Sequence, residues 1–111
     1  MHILLLSGPA GAASWWRCTG VEAFGPLADE LNCLADRGSW IEGERLYRLA
    51  EGILQVVDGD FVGAAEPGAE PWIRIKAVDS SFFFVTTKDG DLIARIKATY
   101  SDVRDSLDDD V

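Results

Sequence analysis

The sequence predicts an α+β domain, a small and mainly antiparallel sheet with about three helices packed on it in the order β-α-α-β-β-α. Three observations carry that reading. Pro71 to Thr87, PWIRIKAVDSSFFFVTT, holds two runs of strand-forming residues around the turn-prone Asp79, Ser80 and Ser81, the pattern of a β-hairpin. Residues 24–38 and 43–57 each repeat apolar side chains at helical spacing. A chain of 111 residues, 48% of them hydrophobic, suits one core, so a single globular domain over 1–104 and an acidic C-terminal tail over 105–111 are expected. An α/β arrangement with a parallel N-terminal strand is the alternative.

Ile3 to Leu6 is a continuous apolar run closed by Ser7, Gly8 and Pro9, and it predicts a buried strand. Gly8 to Ser14 reads as a small-residue loop; it lacks the Gly-Lys-Ser/Thr ending of a phosphate cradle. Trp15 and Trp16 are adjacent, so on a strand they face opposite ways, one into the core and one toward solvent. From Phe24 to Gly38 the punctuation is that of a helix, with Pro26 early, Asp29 and Glu30 in the first turn, Arg37 late and Gly38 beyond the end. Leu27, Leu31 and Leu34 form its core stripe.

Trp40 and Ile41 predict a short extended piece or an apolar staple before the second helix, which Leu46, Leu49, Ala50, Ile53 and Val57 carry to about Val57. Gly52 interrupts that pattern and implies either a close neighbour or a weak helix. Asp58-Gly59-Asp60 reads as a turn. It fails as a calcium loop, because counting from Asp58 puts Val62 and Ala69 where oxygen ligands are needed. Ala64 to Glu70 is an acidic loop, and Asp89 is the N-cap of a last helix whose apolar face is Leu92, Ile93, Ile96 and Tyr100.

In the hairpin, a three-residue loop over 79–81 puts Ile73, Ile75 and Ala77 on one face with Phe83 and Val85. Trp72, Arg74, Lys76, Phe82 and Phe84 then share the other. A two-residue loop swaps the phenylalanines. Either way one face is aromatic and basic, to be capped by a helix or the acidic tail, or left as a contact surface.

The net charge of -9 argues against binding a phosphate backbone and favours a basic partner. The only cysteines, Cys18 and Cys33, predict free and mostly buried thiols. With one histidine, His2, and no C-x-x-C pair, neither a zinc site nor a hydrolase triad is indicated. Nineteen acids place some carboxylates near one another by chance, so they do not single out a catalytic pair. No cofactor or metal is expected. The start lacks the positive region and the length of a signal peptide, and no apolar run suits a membrane helix, so a cytoplasmic location is expected.

Binding is the better-supported class. Exposed aromatics and charge of one sign are what a protein partner uses, which makes Trp15, Trp16, Trp72, Asp58, Asp60, Glu66, Glu70 and Asp79 the candidate contact residues, the acids all expected in turns or loops. A compact, acidic, tryptophan-rich chain without a catalytic set resembles the immunity proteins that bacteria encode beside their toxins. The hairpin with the following DGDLIARIKATYSDVR is also similar to segments of small uncharacterised bacterial proteins. The resemblance implies a cytoplasmic, non-enzymatic protein that binds a basic cognate toxin one to one and occludes its active site. The alternative is a small housekeeping or regulatory domain acting as a homodimer through its hairpin.

Overall fold

The computed structural model describes residues 2–53, 55–79 and 82–100, with the side chains of the first two of these left out. The expected tail over 105–111, and the residues 101–104 that lead to it, lie outside the described residues. The chain is α+β, with a five-stranded antiparallel sheet in the order β2-β1-β3-β4-β5. In chain order the elements are α1 (His2–Leu5), α2 (Gly8–Ala12), β1 (Trp15–Phe24), α3 (Ala28–Asp36), β2 (Trp40–Glu42), α4 (Gly43–Glu51), β3 (Gln55–Ala64), β4 (Pro71–Val78), β5 (Phe82–Thr87) and α5 (Gly90–Thr99).

The expected N-terminal strand is a helical turn. Leu4 is fully buried, and the Ser7 hydroxyl donates to its carbonyl at 2.7 Å. A short apolar run does not by itself distinguish a buried strand from a buried helical turn, and here α1 packs against α4 rather than joining the sheet. The expected loop after it is α2, opened by Gly8 at φ +63° and Pro9. All four strand pairings are antiparallel, which removes the parallel α/β alternative.

β1 is a ten-residue strand between β2 and β3, and the sequence did not announce it. Trp16 and Cys18 face the core, and the register then shifts around Thr19 to Glu22, where Gly20 takes φ +59°. Phe24, expected to open a helix, ends this strand instead. α3 therefore starts at Ala28 and closes in a Schellman motif: Ser39 N–H donates to Leu34 and Gly38 N–H, at φ +64°, to Ala35. Leu31 and Ala35 are buried, whereas Leu27 lies at the surface over Gly52.

Gly52 ends α4, and the expected continuation to Val57 does not occur; Val56 and Val57 belong to β3. Pairing with β1 and β4 uses their β-branched side chains better than a lengthened helix would. Asp58-Gly59-Asp60, read as a turn, lies inside β3. Gly59 is there for packing, since a Cβ would stand 2.8 Å from the Phe61 ring. The hairpin forms as expected, with Val78 opposite Phe82 and Ala77 opposite Phe83, so its loop has the three-residue register. Asp89 caps α5, accepting from the N–H groups of Asp91 and Leu92.

Helical residues from α1, α3, α4 and α5 join Trp16, Cys18, Ile41, Phe61, Ile73, Ile75 and Ala77 in one buried cluster. By strand alternation those sheet residues share one face. The helices therefore cover that face.

Candidate functional site

The opposite face of the sheet is uncovered by any helix among the described residues. The pairing fixes its rows. Trp40, Arg17, Val62, Arg74 and Thr86 lie in register across all five strands, and Thr19, Asp60, Lys76 and Phe84 form the next row. Val78 and Phe82 follow near the hairpin loop, beside Asp58. The aromatic residues of these rows lie on the outer strands β2 and β5, and the charged ones on β1, β3 and β4 between them.

Arg74 binds Asp60 through both guanidinium arms, at 2.8 and 2.7 Å. That bond raises the Arg74 pKa above its ordinary value and fixes the guanidinium and the carboxylate in one geometry on a partly exposed surface. Asp60 is thereby ion-paired. Phe82 and Phe84 meet edge to face with centroids 5.1 Å apart, the arrangement the ring quadrupoles favour. At the other end, the loop after β3 leans over the sheet and leaves a depression of about 390 Å³ lined by Arg17, Thr19, Trp40, Val62, Gly68, Ala69 and Pro71. Arg17 has no carboxylate partner among the described residues, and its guanidinium lies against Gly38, where a Cβ would come within 3.3 Å.

The candidate contact residues do not converge on one patch. Trp15 is half-buried at the start of β1, opposite Glu42 and Ala64. Trp16 is fully buried and donates its indole N–H to Gly11 O at 2.9 Å. The bulge between Gly63 and Ala64 leaves Trp72 without a direct partner on β3; its indole packs against the core and donates to Ser14 Oγ at 2.9 Å. Asp58 and Asp60, expected in a turn, are strand residues. Asp58 accepts from the Asp79 N–H at 3.0 Å, so these two sit together at the hairpin end. Glu66 and Glu70 are exposed in the loop at the far end of the same strands. The acidity thus flanks the open face at both ends and leaves its middle mixed in sign.

Sequence reasoning missed Arg17 and Trp40 as members of this face. The alternation in Trp15-Trp16-Arg17 and Trp40-Ile41-Glu42 is the available signal, but the pairing that sets Arg17 against Trp40 is long-range.

Two other polar groupings are internal. The Ser7 and Tyr47 hydroxyls lie within hydrogen-bonding reach of each other, and the Tyr47 hydroxyl lies 2.9 Å from Gly8 O. Burial raises the Tyr47 pKa, against smaller lowering effects from Ser7 and Arg95. No carboxylate bonds either hydroxyl among the described residues, and the pair ties the N-terminal turns to α4. Cys18, expected buried, is so, and burial with the nearby Asp60 charge pushes its thiol up to about 12. Cys33 corrects the expectation of mostly buried thiols, being free and exposed.

A thiol reagent near neutral pH is therefore expected to label Cys33 in the folded protein and Cys18 only after unfolding, as mass spectrometry of the labelled protein would report. Because the folded thiol ionises near 12 rather than the ordinary 9.0, its contribution to stability is present below pH 9 and is lost as the pH rises toward 12.

Among the described residues no group of three His, Cys, Asp or Glu could hold a metal ion, and no helix is long and apolar enough to cross a membrane. Comparison with protein-family models, curated proteins and solved structures finds no match to this chain.

Proposed function

We propose that the chain is a non-enzymatic protein-binding module whose contact surface is the uncovered sheet face, and that its partner is a bacterial toxin it neutralises as an immunity protein. The observation that carries the reading is that face itself, with Trp40 and Arg17 around a shallow depression and, among the described residues, no helix packed over them. Tryptophan and arginine are the residue types that most often anchor protein interfaces. The acids at its two ends, Asp58 with Asp79 and Glu66 with Glu70, draw in a basic partner and orient it, while the net charge of -9 disfavours a nucleic acid.

The test is titration calorimetry of the purified protein against the products of reading frames adjacent to its own, with co-expression to score protection. A saturable complex weakened by salt is expected, and Trp40→Ala should cost about 2 kcal/mol of binding, roughly 30-fold in affinity. If no such product binds and none is neutralised, the immunity reading is wrong. A complex indifferent to both Trp40→Ala and Arg17→Ala would move the contact surface elsewhere.

A further inference from the structure

The two edges of the sheet are treated differently. β2 is three residues long, ends in Glu42 and runs straight into α4. β5 is six residues long, FFFVTT, with no charge, proline or glycine, and among the described residues it pairs only with β4. Such an edge offers a row of unpaired N–H and C=O groups, the feature that natural sheets usually blunt with charge or proline. Both of its faces also expose phenylalanine. Phe82 is 50% exposed on the open face, and Phe83 is 39% exposed although it shares the helix-covered face with Ile73, Ile75 and Ala77. The helical layer stops short of β5 on that side.

We infer that β5 pairs antiparallel with β5 of a second copy of this chain, joining two five-stranded sheets into one continuous sheet. A second copy fits because an uncharged strand does not repel itself, whereas the acids elsewhere on a chain of net charge -9 disfavour self-association through other surfaces. The register follows from the faces. A two-fold axis normal to the sheet keeps each open face on its own side, so Phe82, Phe84 and Thr86 must oppose open-face residues of the second copy. This excludes any register that sets Phe84 against Val85 and puts the axis on a residue. Placing it on Phe84 sets Phe82 against Thr86 and Phe83 against Val85 of the second copy, covering both exposed phenylalanines; placing it on Val85 leaves Phe82 out.

Sedimentation equilibrium of the full chain is expected to show a dimer, and Thr86→Lys, a charge on the pairing edge, to return it to monomer with an unchanged far-ultraviolet spectrum. In a Cys33→Ser background, Phe84→Cys should oxidise to a covalent dimer and Val85→Cys should not. A wild-type protein that stays monomeric throughout, or a dimer that crosslinks through Val85→Cys instead of Phe84→Cys, would overturn the proposal. Toxin binding through the open face stands or falls separately, by the calorimetric titration.

Discussion

Replacing Trp16 by alanine is expected to destabilise the fold by about 3–5 kcal/mol, as for other large aromatics removed from a closed core. Trp16 is fully buried on β1, opposite Ile41 on one side and Gly63 on the other. Gly63 has no side chain because the indole occupies that space; a Cβ there would lie 3.1 Å from the ring and 2.8 Å from Ile73. The substitution also removes the indole N–H bond to Gly11 O, which keeps only the backbone N–H of Ser14 as donor. Since small domains are stable by only about 5–15 kcal/mol, the variant should be close to unfolding at ambient temperature. Urea denaturation followed by circular dichroism would measure it, and Trp16→Phe, which keeps most of the volume, should lose markedly less. A loss below about 1 kcal/mol for Trp16→Ala would mean that the site collapses freely, contrary to the packing described.

Gly43→Ala is expected to destabilise by about 3 kcal/mol, although alanine is the better helix former by about 1 kcal/mol. Gly43 opens α4, and the C-terminal end of α2 rests on it. A Cβ would overlap the carbonyl oxygens of Gly11 and Ala12, and these are backbone atoms that cannot turn aside as a side chain can. The Gly43 N–H also donates to Ser14 O at 2.8 Å, so moving α2 away breaks a second contact. Gly90→Ala is the control. Gly90 opens α5 in the same way but has nothing within 4 Å of the added methyl, so that variant should be unchanged or slightly stabilised. Comparing urea midpoints of the two variants separates backbone crowding from helix propensity, and equal effects of the same sign would refute the crowding.

What could be read from the chain follows the range of the interactions involved. The hairpin was legible, because β-branched and aromatic runs on both sides of a turn-prone trio are local signals, but its two- and three-residue loop registers stayed open until the pairing of Val78 with Phe82 decided between them. The cap at Asp89 and the glycine stop after α3 were legible for the same reason, since each is decided within a few residues. β1 was not. Its residues carry no clean alternation past the irregularity at Thr19 to Glu22, and what makes them a strand is their pairing with residues more than 20 positions away. The aspartates of β3 misled for a related reason. Asp-Gly-Asp is turn chemistry in isolation, but Phe61 needs the space at Gly59, and Arg74 and the Asp79 N–H satisfy the two carboxylates.

The candidate site divides in the same way. The aromatic and basic half of the hairpin was visible as one face, though not that Trp72 would leave it through a bulge opposite Gly63 and Ala64. That of two adjacent tryptophans one is buried follows from alternation alone; which one is decided by where β1 sits relative to the helices.

By itself the sequence determined the α+β class, the hairpin and the excess of negative charge, all of which rest on composition or on neighbours in the chain. Tertiary structure alone decided that five strands join among the described residues, that α1, α3, α4 and α5 bury residues against one side, and that Arg17 and Trp40 meet on the other. The physical reason is that burial of one sheet face is a property of the assembled layers. No single segment carries the information about which face the helices will cover.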